Sequence, residues 1–143
     1  MSAVLSRATA TQGDTYEIVV VDGLTRTQIV QYAGASGDFN PLHTDEAYAT
    51  SVAGYDLPVA HGMLTMGLTS RAVTEWVGDG CLTSFGVRFM APVFPGDTLT
   101  TRMVIDAVEQ QADDTVAVKL SVETKNATGI VVVRGHASAT LAD

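Results

Sequence analysis

The sequence predicts an α+β domain in which an antiparallel sheet is rolled around one long helix. Three observations carry this. A strand-like segment, Thr15 to Val21, comes early. An apolar helix follows, opening at His61-Gly62 and running to Val77. The remainder then alternates as about four strands separated by turns. Helices segregated to one face of an antiparallel sheet are the mark of the α+β class. The 143 residues suit one domain, 1–143, with a sizeable core and with residues 1–12 expected to be loosely ordered.

Each element has a local reason. Thr15 to Val21 is rich in β-branched residues. Thr25 followed by Gln28 makes a capping box, and Leu24 and Ile29 occupy the hydrophobic-staple positions. A helix carrying Ile29, Val30, Tyr32 and Ala33 is therefore expected to start at Thr25, and to stop near Gly34. Ser36 to His43 holds Gly37 and Pro41, which favour a fixed turn over a regular helix. Thr44 to Thr50 reads as a short helix with Asp45 and Glu46 at its positive end, and Ser51 to Pro58 as irregular. In the long helix, Met63, Leu64, Met66, Leu68, Ala72, Val73, Trp76 and Val77 form no single narrow stripe. A largely buried helix is expected, with Gly62, Gly67 and Ser70 admitting other backbone. Leu82 to Met90 reads as a strand, Pro95-Gly96 as the centre of a type II turn, and Asn126 to Gly129 as a turn. Val116 to Glu123 alternates cleanly, and Gly135, Ala137 and Ala139 supply a small inner face on the last strand. A lone sheet of this kind leaves open edges, which dimerisation covers.

Composition excludes several classes. At 46% hydrophobic and 17% charged the chain is not of the disordered type. A net charge of −8 repels phosphate backbones, so no nucleic-acid partner is expected. No apolar run approaches the ~20 residues of a membrane span, so no membrane partner is expected either. Met1 to Gly13 has one Arg and no apolar run, so no signal peptide is read. The single Cys81 fits a reducing cytoplasm, and its default role is that of a small buried residue.

Asp38 and His43 are the first candidates for chemistry. In a turn that leads into a helix, both side chains can point to one spot and hold a water between carboxylate and imidazole, a pair suited to proton transfer. The same residues could instead be a turn cap and a satisfied polar group. Asn40 can brace nearby backbone. The N–H of Gly62, at a helix start, can serve a carbonyl oxygen, or the glycine can simply relieve crowding. His61 fits the helix entry. A metal on Asp38, His43 and His61 matches no usual zinc spacing, so no metal is expected. Met63 and Met66 could line an acyl channel or pack in the core.

The stretch Tyr32 to His43, with its Gly-Asp-Phe-Asn-Pro-Leu-His run, resembles the signature of the (R)-specific enoyl-CoA hydratases, the MaoC-like branch of the hot-dog fold. Ala60 to Leu64 is similar to the start of their central helix, and Val87 to Asp97 to the strand and turn that follow. The likeness runs in order from about Gly13 onward. Ala60 to Gly67 and Thr74 to Asp79 are similar to the B subunit of mycobacterial (3R)-hydroxyacyl-ACP dehydratases. The resemblance implies reversible syn hydration of trans-2-enoyl thioesters of CoA or ACP to (3R)-hydroxyacyl thioesters, with no cofactor. It implies that Asp38 and His43 handle one water and that Gly62 binds the thioester oxygen; Asn40, His61, Met63 and Met66 are the candidate substrate contacts. It also implies a homodimer, or a heterodimer with another hot-dog subunit. A hot-dog thioester hydrolase and a non-catalytic acyl-thioester binding subunit are the alternatives.

Overall fold

The computed structural model describes residues 4–142. Five strands form one antiparallel sheet in the order β1-β3-β4-β5-β2, with a helical layer built on one face. The strands are β1 (Thr15–Val21), β2 (Leu82–Phe89), β3 (Leu99–Gln110), β4 (Val116–Asn126) and β5 (Val131–Leu141). The helices are α1 (Arg26–Ser36), α2 (Glu46–Ser51) and α3 (Gly62–Val77), with a 3-10 turn at Pro41–His43. The α+β hot-dog expectation holds.

Strand alternation sets which face is core. On β3, Leu99, Thr101, Met103 and Ile105 are buried, and on β4 the same holds for Val116, Val118, Leu120, Val122 and Thr124. Register shifts at Val19/Val21, Leu82/Ser84, Ile105/Ala107 and Thr124/Lys125 add local twist. That twist lets the sheet curl toward α3. Gly135 has a separate reason: a Cβ there would run into the carbonyl of Gly86 on the neighbouring strand, so β2 and β5 approach as closely as they do only with glycine.

α1 begins as the sequence requires. Thr25 Oγ1 accepts the Gln28 N–H at 3.0 Å and Gln28 Oε1 accepts the Thr25 N–H at 2.8 Å. Leu24 and Ile29 are both buried. Leu24 also exchanges backbone bonds with the Pro95-Gly96 turn, donating to Asp97 and accepting from Gly96. Gly96, at φ 92°, takes the left-handed position that a type II turn demands. The entry of α1 is therefore fixed from two sides.

Four expectations need correcting. α1 runs on to Ser36 rather than stopping at Gly34. The residue that turns left-handed is Gly37, at φ 75°, whose N–H closes on Ala33 O. α3 buries one face only: Thr65, Thr69, Ala72, Val73, Trp76 and Val77 are inside, whereas Gly67 is exposed and Met63 is 56% exposed. Among the described residues nothing outside the helix backbone lies within 4 Å of where a Cβ at Gly67 would sit. β2 ends at Phe89, short of Met90, and is an edge strand with Phe89 half exposed. Residues 4–12 are tied to the body: Leu5 is buried and donates to Trp76 O at 2.7 Å, and Arg7 pairs with Asp114. The expected looseness of residues 1–3 lies outside the described residues.

α3 is fastened to the sheet by a hydroxyl chain within the core. Thr69 Oγ1 donates to Thr65 O at 2.9 Å. Thr124 Oγ1 sits 2.8 Å from Thr69 Oγ1 and 2.7 Å from Thr101 Oγ1. With Thr69's proton committed to Thr65 O, Thr124 must donate to Thr69 and Thr101 to Thr124. Replacing Thr124 by Val keeps the shape but strands the Thr101 hydroxyl. Thr124→Val is expected to lose about 1–3 kcal/mol in urea unfolding with an unchanged circular dichroism spectrum; an unchanged midpoint would contradict the chain as drawn.

Candidate active site

The site forms where three pieces of chain meet: the loop after α1, the strap Val59-Ala60, and the start of α3. The loop is wound by its own polar side chains. Asp38 N–H donates to Ser36 Oγ at 3.2 Å, Asn40 N–H to Asp38 Oδ1 at 3.2 Å, and Leu42 N–H to Asn40 Oδ1 at 2.9 Å. Asn40 thus caps the 3-10 turn that carries His43, with Pro41 at its first position. Asp45 caps α2 through Tyr48 N–H, so the chain is braced again directly after His43.

The strap holds the loop against the body. Val59 N–H donates to Leu42 O and Ala60 N–H to Val93 O. Val59 O in turn lies 2.6 Å from His43 Nδ1. A carbonyl can only accept, so Nδ1 carries the proton. When the ring carries no second proton, Nε2 is left with a bare lone pair. That nitrogen lies 3.8 Å from Asp38 Oδ2. The gap exceeds a direct hydrogen bond and is short enough for one water to touch both groups. The His43 side chain is 11% exposed and that of Asp38 52%, so the carboxylate side of the pair is open to solvent.

His43 and Gly62 share a pocket of about 380 Å3 with Tyr55, Val59, Thr65, Phe89 and Val133 among its walls. Gly62 is the first residue of α3, so its N–H has no partner within the helix and lies at the positive end of a 16-residue dipole. A Cβ at Gly62 would sit 3.3 Å from the Phe89 ring. The glycine therefore both relieves crowding and leaves the amide approachable; the two readings of this residue are compatible.

Of the sequence candidates, the structure brings together Asp38, His43, Gly62 and His61. His43 and Gly62 line the pocket, whereas Asp38, Asn40, His61, Met63 and Met66 are not in its wall, and Asp38 reaches it only through its 3.8 Å approach to His43. Asn40 is engaged with loop backbone, His61 stands behind His43, and Met63 is on the open side of α3. Asp38, His43 and His61 do offer three donor atoms within 4.8 Å of one another. The two imidazoles, however, are stacked at 3.8 Å with planes 23° apart, so their in-plane lone pairs run alongside each other rather than converge. The Val59 carbonyl and the Phe89 ring gave no signal in the sequence, because a backbone oxygen has no side-chain signature and an edge-strand Phe reads as ordinary strand.

A family profile described as "MaoC like domain" matches residues 7–128. The chain is 43% identical over 84 residues to 3-hydroxyacyl-thioester dehydratase Y of Mycobacterium tuberculosis, a match covering 57% of this chain and 29% of the relative. It is 35% identical over 109 residues to the peroxisomal enoyl-CoA hydratase 2 of Arabidopsis thaliana, covering 72% of this chain and 33% of the relative. The chain spans about a third or less of the curated relatives it matches. Among solved structures, the (R)-hydratase from A. caviae involved in PHA biosynthesis superposes with a TM-score of 0.80 at 27% identity, covering 94% of this chain and 98% of that one.

Removing the Asn40 cap tests how the loop is held. Asn40→Ala should cost about 0.5–2 kcal/mol and speed amide hydrogen exchange at Leu42, while Asn40→Asp, which keeps the acceptor, should stay near the parent. Unchanged exchange at Leu42 in the alanine variant would show that the cap does not hold the turn.

Proposed function

The chain belongs to the MaoC-like domain family, and from that premise we propose that it interconverts trans-2-enoyl and (3R)-hydroxyacyl thioesters of CoA or an acyl carrier protein by adding or removing one water. The observation that carries this reading is the bare Nε2 of His43, 3.8 Å from the Asp38 carboxylate, on a residue that lines one pocket with Gly62. Likeness to proteins named as a dehydratase, an enoyl-CoA hydratase and an (R)-hydratase supports it.

C3 of an enoyl thioester is open to attack because charge moves onto the thioester oxygen. A water bridging the pair donates toward Asp38 and His43. His43 Nε2 takes its proton as oxygen bonds to C3, and the Val59 carbonyl fixes the imidazole orientation throughout. The developing enolate oxygen is met by the Gly62 N–H, reinforced by the α3 dipole. A proton from the same pair then goes to C2. In such a coupled pair the two protons belong to the unit. Because oxygen and hydrogen arrive from one face, the addition is syn. Dehydration runs the same steps in reverse.

A dimer is part of the reading. The exposed Met63 on the open side of α3, the 71% exposure of Phe39 beside Asp38, and one of the two free sheet edges would be covered by a second hot-dog subunit, identical or not. No helix among the described residues is long and apolar enough to cross a membrane. The free thiol of Cys81 suits a reducing compartment such as the cytoplasm.

The test is loss of absorbance at the enoyl-thioester band with crotonyl-, octenoyl- and dodecenoyl-CoA, followed by chiral analysis of the product. Asp38→Asn and His43→Gln should each lower turnover about 100- to 10,000-fold while keeping the parent thermal midpoint. Near-parental rates in both purified variants, or release of free thiol in place of hydration, would overturn the proposal.

A further inference from the structure

His61 takes no part in the chemistry above, yet it is the most deeply buried of the site's polar side chains, at 2% exposure. Its Nε2 lies 3.0 Å from the carbonyl oxygen of Asp38, so Nε2 carries the proton and donates. Its Nδ1 is buried with no hydrogen-bond partner among the described residues. As the residue capping α3 it makes no side-chain cap bond. Its ring stacks on His43 at 3.8 Å, and the Tyr32 ring of α1 meets it edge-on at 4.9 Å.

A phenylalanine in this space would keep both ring contacts and remove the stranded nitrogen. A stranded buried acceptor costs stability. What histidine adds over phenylalanine is one N–H, and that N–H is aimed at the backbone of the residue whose carboxylate the chemistry needs. The other hydrogen bonds at Asp38 stay inside its own loop, to Ser36 and Asn40. The bond from His61 is the one that ties residue 38 to the start of α3.

We propose that His61 is a positioning residue that sets both halves of the acid–base pair at once: its Nε2–H fixes the backbone of Asp38 while its face fixes the ring plane of His43. The 3.8 Å gap between carboxylate and imidazole is then held by one side chain anchored beside Gly62, so the pair and the oxygen-binding amide keep one frame. The catalytic consequence rests on the hydratase reading; the geometric one does not. The stability lost at Nδ1 is the expected signature of a residue kept for geometry rather than packing.

Two variants and one spectrum test this. His61→Phe keeps the ring and loses the donor; His61→Gln keeps a donor and loses the ring. His61→Phe should melt at or above the parent temperature while kcat falls by at least about tenfold and KM stays within about threefold. His61→Gln should recover part of that loss. Nitrogen-15 spectra of the histidine-labelled parent should show His61 protonated at Nε2 and bare at Nδ1. In His61→Phe the Asp38 and His43 resonances should shift or broaden. Parental kcat in His61→Phe, unmoved Asp38 and His43 resonances, or a protonated Nδ1 in the parent would each overturn the proposal. If the parent hydrates no enoyl-CoA, the hydratase reading fails by itself and the spectra decide the role of His61.

Discussion

The contact on which the site depends is the 2.6 Å hydrogen bond from His43 Nδ1 to the carbonyl of Val59. Without it the imidazole could present either nitrogen to Asp38 in either tautomer. With it, the protonated nitrogen faces the strap and the other faces the carboxylate. A backbone carbonyl suits this task because, unlike a carboxylate, it has no protonation state of its own in this range. The strap is in turn held by Leu42 and Val93, so the orientation of one ring is set by segments before and after α3. The same strap leads directly into Gly62, which couples the base to the amide that would receive the thioester oxygen.

Behind this lies a division of labour in the fold. The sheet supplies rigidity through β3, β4 and β5, whose inner faces are almost wholly buried. α3 is bound to it by apolar packing of Ala72, Val73, Trp76 and Val77 at its far end and by the Thr69–Thr124–Thr101 chain nearer the site. A hydroxyl chain is directional where methyl packing is not, and it fixes the rotation and height of the helix whose first amide is exposed. The loop bearing Asp38 is wound largely on itself; the strap holds it at Leu42 and His43, and the buried His61 ties it at Asp38.

Much of this was legible in the sequence where a signal is local. The capping box at Thr25, the strand alternation from Val116, the Pro95-Gly96 turn and the Asp38–His43 run are all short-range patterns with a direct physical cause. What failed to show was long-range or backbone in origin. The helix stop at Gly37 rather than Gly34 turned on which glycine becomes left-handed, a choice that composition alone does not make. Met63 and Met66 suggested a buried, channel-lining helix, but apolarity does not say whether a face is covered by its own chain. Leu5 looked like part of a loose end, because its bond to Trp76 O joins residues 71 positions apart. His61 was readable as a residue near the helix entry; that it stands behind His43, with one nitrogen used and one stranded, required the fold.

The central claim is that a single water, held between Asp38 and His43, delivers both its oxygen and a hydrogen to one face of the double bond. Hydrating crotonyl-CoA in deuterium oxide and reading the coupling between the C2 and C3 protons of the product tests this directly. One diastereomer is expected, with deuterium and an R-configured hydroxyl added syn. Anti addition, an S-hydroxyl or a mixture of diastereomers at early reaction times would contradict it.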